Sequence, residues 1–285
     1  MVRRRIGYST FILSCIGLIV CILVSNNTLI SIVSEAQETS VEKPSAEKKS
    51  PEIIPTSPVI EPKTKDLLNR MGTFLNMAKQ FSFHAEVMFD DHLPSGQKIQ
   101  FAAAEDVSVR KPDRIYVDYQ SDLGSKRFWY NGKTITLLSP AHNSYSTIDA
   151  PPNIENAIEL LMKDYGFTVP LGDFLFSDPH STLMKNVLAG IYVGPGDVNG
   201  VDCHHLAFVE KYIDWQIWIE DGNEPIPRKV VITYKTMPSS PQYIAILSDW
   251  NFKKDFPDSL FSADLPKDAK HIDFIKLNKS EKKLN

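Results

Sequence analysis

Strict alternation of apolar and polar residues, repeated in short segments along most of the chain, is the feature that most restricts the fold. In residues 81–90 every odd position is apolar and most even positions are polar. Because successive side chains of a strand point to opposite faces, this pattern predicts a strand with one buried face. Similar segments recur, joined by turns such as Asn131-Gly132 and Asp221-Gly222-Asn223. They predict about eleven strands, at 81–89, 99–109, 115–119, 127–130, 134–138, 145–148, 191–193, 201–209, 212–220, 229–235 and 243–252.

Two helices accompany these strands. Apolar residues recur at helical spacing from Leu67 to about Gln80, before the first strand, and again from Asn153 to Tyr165, with Gly166 just past the end. Residues 167–188 are an apolar, Pro-bounded connection. We therefore predict a mainly β fold with some helix, in which a single strongly curved antiparallel sheet forms an open half-barrel covered by helices.

The N-terminal segment predicts export to the periplasm. Arg3, Arg4 and Arg5 precede an apolar run from Phe11 to Val24, the order found in secretory signals. Small residues at Ser34-Glu35-Ala36 offer a cleavage site before Gln37. However, apolar character continues to Val33, which approaches the roughly 20 residues of a membrane-spanning helix. Two alternatives therefore stay open: a cleaved signal, or an inner-membrane anchor that keeps the protein in contact with the membrane.

Composition then divides the chain into four parts. We assign residues 1–36 to the signal or anchor, 37–63 to a disordered linker, 64–277 to the folded domain and 278–285 to a polar tail. The linker holds five Pro, five Glu and four Lys but no aromatic residue, so it lacks the apolar surface needed to order itself. The net charge of -4 gives no electrostatic support for binding nucleic acid.

No motif for catalysis, a metal or a cofactor stands out. Cys203-His204-His205 is the one cluster of suitable residue types, but alternation places only Cys203 and His205 on the same face, whereas zinc needs three or four ligands. HExxH, CxxC, a phosphate-binding Gly-rich loop and a Gly-x-Ser-x-Gly elbow are all missing from the sequence. We therefore expect a protein that is not an enzyme and takes no cofactor or metal.

Several short motifs resemble those of the periplasmic DUF2092 family, itself similar to the LolA/LolB-like lipoprotein carriers. They are the segment Arg110-Lys111-Pro112-Asp113-Arg114-Ile115, the hairpin Tyr130-Asn131-Gly132-Lys133, the pair Pro140 and Tyr145, and Ile226-Pro227-Arg228-Lys229-Val230. The likeness covers about residues 64–265. It implies an eleven-stranded LolA-like half-barrel with a helical lid over an apolar cavity. In the carriers that the chain resembles, a strand arginine holds the lid closed, which implies Arg110 or Arg114 as a latch.

We therefore expect a noncatalytic protein that binds an acyl chain, a lipid or a lipoprotein in this cavity. The expected cavity wall is Phe83, Val87, Phe101, Ile115, Val117, Trp215, Ile217, Ile232 and Trp250. The expected lid residues are Leu160, Leu161, Phe174, Leu175 and Phe176. The alternative is an interaction or sensor module of the cell envelope, in which the same fold has a packed core and binds a protein partner.

Overall fold

One sheet holds every strand of the described residues. The computed structural model describes residues 58–93 and 95–277. The strands are β1 (Val59–Ile60), β2 (Gln80–His92), β3 (Lys98–Arg110), β4 (Arg114–Ser121), β5 (Lys126–Tyr130), β6 (Thr134–Ser139), β7 (Ser144–Asp149), β8 (Ala189–Val198), β9 (Val201–Val209), β10 (Ile213–Glu220), β11 (Pro227–Tyr234), β12 (Gln242–Asn251) and β13 (Lys270–His271). Their order is β1-β8-β9-β10-β11-β12-β2-β3-β4-β5-β6-β7-β13.

The prediction of a mainly β fold with one large, curved, open sheet is confirmed. The eleven predicted strands correspond to β2 through β12, and each of these pairs antiparallel with its neighbours among them. The two additional strands, β1 and β13, have two residues each and pair in parallel with β8 and β7 at the two edges. Two residues are too few to show an alternating pattern, so the sequence could not reveal these two strands.

The strand register aligns the inward-facing residues in rows across the sheet. One row is Phe101, Phe89, Tyr243, Ile232, Trp215 and Phe208, and the next is Ala103, Val87, Ala245, Val230, Ile217 and Leu206. Two further rows are Tyr119, Glu105, Ala85 and Leu247, and Phe128, Val117, Val107 and Phe83. Nearly all these side chains are buried and apolar, which makes the inner face the floor of the core.

Three α-helices are present among the described residues. Helix α1 (Pro62–Met77) has proline in its first turn and buries Leu67, Leu68, Met71 and Leu75. Helix α2 (Ile154–Tyr165) begins where the Asn153 side chain accepts a hydrogen bond from Asn156 and ends at Gly166, whose φ is 71°. Helix α3 (Pro179–Met184) was not predicted; it lies inside the connection 167–188, which we call the lid segment. None of the three is long and apolar enough to cross a membrane.

The predicted linker ends earlier than the composition indicates. Residues 58–63, assigned to the linker from sequence, form β1 and the start of α1. Val59 donates its amide hydrogen to the carbonyl of Leu188, and Glu61 to that of Gly190, which attaches this segment to β8. The predicted signal or anchor (1–36), the linker up to residue 57 and the polar tail (278–285) lie outside the described residues.

Candidate functional site

A groove of about 750 Å³ lies between the lid segment and the inner face of β10 and β11. Its floor is apolar and comes from Ile213, Trp215, Ile217, Val230 and Ile232. Its walls come from α2, the lid segment and Glu210, and the lid side chains include Phe174, Phe176 and Leu183. Within this floor Ile213 and Ile232 are half-buried, whereas Trp215, Ile217 and Val230 are buried.

A second, much smaller cavity of about 40 Å³, which we call the interior cavity, lies between the lid segment and β2 to β5. It is lined by Phe83, Glu105, Val107, Ile115, Val117 and Phe128 of the sheet, by Ile158 and Leu161 of α2, and by Phe167, Val169, Leu171, Gly172 and Leu175 of the lid segment. Ile158 and Leu171 line both spaces, so these two side chains separate the groove from the interior cavity.

The predicted wall residues divide among these spaces. Trp215, Ile217 and Ile232 line the groove, whereas Phe83, Ile115 and Val117 line the interior cavity. Three others line neither space. Val87 is buried in the inner face of the sheet, Phe101 packs on Phe89 with ring centroids 5.6 Å apart, and Trp250 stacks on Phe83 with centroids 4.6 Å apart. Alternation indicates which side of the sheet a residue faces, but it does not indicate which part of that side is covered.

The predicted lid residues are likewise divided between the groove and the interior cavity. Phe174 and Phe176 line the groove, and Leu161 and Leu175 line the interior cavity. Leu160 is half-buried on α2 and lines neither space.

The lid segment approaches α1 closely at Gly72, where a Cβ atom would lie 2.9 Å from both the Cβ and the backbone nitrogen of His180. A side chain at position 72 would push α3 away.

One peptide bond of the lid segment is held from both sides by charged residues. Lys111, in the turn between β3 and β4, donates from Nζ to the carbonyl of Phe176 at 3.1 Å and to that of Leu75, near the end of α1, at 3.0 Å. The next amide hydrogen, that of Ser177, is donated to Oε1 of Glu155 at 2.6 Å. We call this arrangement the lid clasp: Lys111, Glu155 and the peptide bond between Phe176 and Ser177.

The environment of the lid clasp shifts the ionisation of both charged groups. Burial lowers the pKa of Lys111 to about 8, although the charge of Glu155 opposes this shift. Burial also acts to raise the pKa of Glu155, but its hydrogen bonds, including that from Ser177, and the charge of Lys111 outweigh burial and lower it. Lys111 therefore keeps its hydrogen bonds in a site that disfavours its charge.

Within the described residues, neither predicted latch arginine donates a hydrogen bond to the lid segment. Arg110 donates to the carbonyl of Phe256 at 3.0 Å and forms an ion pair with Asp258, and its guanidinium lies 5.0 Å from the ring centroid of Phe261. It therefore fastens the segment after β12 to the sheet. Arg114 pairs with its neighbour Asp113 at 2.7 Å. Sequence reasoning missed Lys111, which lies between them in the same motif.

Carboxyl groups also line the groove. Oε1 of Glu210 accepts a hydrogen bond from the indole nitrogen of Trp215 at 2.9 Å, and Asp173 lies in the lid segment. Burial raises the pKa of Glu210 and that of Asp173. The polar wall of the groove thus carries two carboxyl groups whose surroundings favour the uncharged form.

Glu105 is the one ionisable residue lining the interior cavity. Its side chain is 2% exposed, and burial raises its pKa to about 7. The sequence analysis passed over it because it occupies an inward position of β3 that the alternation pattern assigns to an apolar residue. That single interruption of the pattern, between Ala103 and Val107, is the signal that marks it.

The two histidines of the Cys203-His204-His205 cluster contact side chains of neighbouring strands and turns. His205 stacks on Trp218 with ring centroids 3.9 Å apart and contacts Gln216 at 3.0 Å, whereas His204 contacts Tyr192 and Asp221. Burial raises the pKa of the Cys203 thiol to about 11, which disfavours the nucleophilic thiolate. Within residues 58–93 and 95–277, no three His, Cys, Asp or Glu side chains come together as a metal site.

Comparison with known proteins gives a family and several similar structures. No curated protein matches the sequence. Similar solved structures include the lipoprotein LppX from Mycobacterium tuberculosis, 14% identical with a TM-score of 0.45, covering 68% of this chain and 98% of that chain. LprF from Mycobacterium bovis is 13% identical with a TM-score of 0.43, covering 70% and 98%. A LolA superfamily protein from Nitrosomonas europaea is 10% identical with a TM-score of 0.37, covering 70% and 97%. Residues 64–275 match the model of a family described as predicted periplasmic protein (DUF2092).

Proposed function

The chain belongs to the DUF2092 family of predicted periplasmic proteins, and we propose that in the periplasm it is a noncatalytic binder of an acyl chain or lipid. The observation that carries this proposal is the groove of about 750 Å³ with an apolar floor. Sites for small organic ligands are typically concave, mostly apolar and roughly 300–1,000 Å³ in volume. The bound group would lie on Trp215, Ile217 and Ile232, under Phe174 and Phe176.

In this proposal the lid segment controls access to the inner face of the sheet. The lid clasp keeps the segment closed, and Ile158 and Leu171 separate the groove from the interior cavity. Opening the lid would move Leu171 and join the two spaces, giving room for a longer chain. The bound molecule could be a free lipid or the acyl chains of a lipoprotein, because both present the same apolar surface.

The proposal predicts that filling the groove abolishes binding. We expect Ile232→Trp to weaken the binding of a fluorescent fatty acid at least tenfold, because the indole ring would occupy the floor of the groove. The matched control is Ile191→Trp, since Ile191 is 50% exposed and lines neither space. The measurement is fluorescence titration of the exported protein, together with native mass spectrometry for co-purified lipid.

A bare protein mass and no fatty-acid uptake by the wild type would contradict the proposal. That outcome would favour the envelope interaction module instead. One observation supports this second candidate: Ile191 and Val193 of β8 are each 50% exposed, so apolar side chains are available to a protein partner near one edge of the sheet.

A further inference from the structure

One carboxylate oxygen of a residue that lines the interior cavity lacks a hydrogen-bond donor. Glu105 lies on β3 near the middle of the inner face, and its side chain is almost completely buried. Its Oε1 atom accepts no hydrogen bond from any residue in the described parts of the chain. Leaving a buried acceptor without its partner destabilises a folded protein. The fold therefore carries an unfavourable feature in the lining of the interior cavity.

Small side chains flank Glu105 on the sheet, and no charged residue of the cavity lining neutralises it. The register places Ala85 directly opposite on β2, and Ala103 precedes Glu105 by two residues on the same face of β3. These small side chains are buried in an otherwise bulky floor of Phe, Val, Leu and Ile. The remaining residues lining the cavity are apolar. Burial raises the pKa of Glu105 to about 7, so the carboxyl is largely uncharged at pH 6 and below.

We propose that Glu105 recognises a hydroxyl group carried within the apolar part of the ligand, so that the preferred ligand is a hydroxylated acyl chain. This inference rests on the proposed function and specifies its ligand class. A hydroxyl group suits the site because it can donate to Oε1 in either protonation state of the carboxyl and can accept from the protonated form. An ester or ketone carbonyl accepts only, and a saturated chain leaves Oε1 without a partner.

The route to Glu105 runs through the groove. The interior cavity of about 40 Å³ is too small for an acyl chain while the lid is closed. Ile158 and Leu171 face both spaces. A chain lying on the floor of the groove therefore reaches Glu105 once these two side chains move, and its hydroxyl group then replaces the missing donor.

The experiment compares matched ligands on matched variants. Dissociation constants of the exported wild type, Glu105→Gln and Glu105→Leu are measured for stearic acid and for a series of stearic acids hydroxylated at different carbons, by displacement of a fluorescent fatty acid. We expect the wild type to bind at least one hydroxylated acid about tenfold more tightly than stearic acid. Glu105→Gln should keep this preference because its amide oxygen still accepts. Glu105→Leu should lose it and bind stearic acid at least as tightly as the wild type.

Stearic acid binding by Glu105→Leu also serves as the control for folding. Equal affinity of the wild type for stearic acid and for every hydroxylated acid would overturn the inference while leaving the proposed function in place. A preference that survives in Glu105→Leu would also overturn it. If the wild type binds none of these acids, the proposed function fails and the inference fails with it.

Discussion

Glu105→Gln should stabilise the protein at neutral and alkaline pH. We expect its advantage over the wild type in free energy of unfolding to be smallest at pH 4.5 and to grow to about 3 kcal/mol at pH 8. The reason is that burial raises the pKa of Glu105 from 4.5 to about 7, and each unit of pKa shift corresponds to about 1.4 kcal/mol. The measurement is urea unfolding of both proteins across this pH range.

The direction of this pH dependence follows from the protons bound by the folded and the unfolded states. Below pH 4.5 the carboxyl is protonated in the folded and the unfolded chain, so it adds no pH dependence. Between pH 4.5 and about 7 the unfolded chain loses the proton while the folded chain retains it, so the stability of the wild type falls as pH rises. Above about pH 7 both states are ionised and the penalty becomes constant. A glutamine in this position does not titrate.

Two of the tyrosines near Glu105 or its neighbours ionise above the pH range of this effect. Tyr119 lies opposite Glu105 on β4, and Tyr243 of β12 interacts electrostatically with Glu105 and with Tyr234 of β11. Burial raises the pKa of Tyr234 to about 12 and that of Tyr243 well above its usual value, so both titrate above the window. The matched control is Glu86→Gln, an exposed carboxyl on β2. A stability difference that does not change with pH would show that Glu105 ionises as an exposed carboxyl does.

Lys111→Met should loosen the lid segment. The methionine keeps much of the apolar stem of the lysine but removes the donor to the carbonyls of Phe176 and Leu75. We expect amide hydrogens of the lid segment to exchange about 30-fold faster, which corresponds to a loss of about 2 kcal/mol for hydrogen bonds from a charged donor. Release of a bound fatty acid should accelerate in parallel. The measurements are hydrogen exchange by mass spectrometry and stopped-flow displacement.

Three further variants make this prediction specific. Lys79→Met is the matched control because Lys79 is exposed and its side chain makes no recorded contact with the described lid segment. Arg114→Met tests the latch that the family resemblance implies. Faster lid exchange in Arg114→Met and unchanged exchange in Lys111→Met would reverse our assignment of the clasp. Glu155→Gln should give an intermediate effect, since its amide oxygen still accepts from Ser177.

Alternation predicted the sheet because hydrophobic burial on one face imposes a period of two on every long strand. The same reasoning failed for α3, whose six residues are too short to show a helical period. Its start depends on the Asp178 side chain accepting from the amide of Ser181, and its position depends on the close approach of His180 to Gly72. The first is a local signal that could have been read from the sequence. The second is a tertiary contact with no local pattern.

The site was predicted less completely than the sheet for a related reason. Inward orientation is a property of one strand, whereas lining a cavity depends on where the lid segment packs. Val87 and Trp250 face the core as expected, yet neighbouring side chains fill the space around them. Lys111 and Glu105 were overlooked because both violate the usual pattern, one as a half-buried lysine in a turn and the other as a buried carboxyl in a strand. Departures of this kind from the usual pattern are expected at functional or strained sites.

Strand β1 has a consequence for how the domain is isolated. The match to the family begins at residue 64, so a fragment cut at that boundary would lack Val59, Ile60 and Glu61. The edge of β8 would then lose the amide donors that satisfy the carbonyls of Leu188 and Gly190, as well as the Glu61 carboxylate that accepts from the amide of Tyr192. An uncovered strand of this length, with Ile191 and Val193 already exposed, can pair with the same edge of a second molecule. Aggregation of the shorter fragment would therefore report a missing edge strand rather than an unstable core.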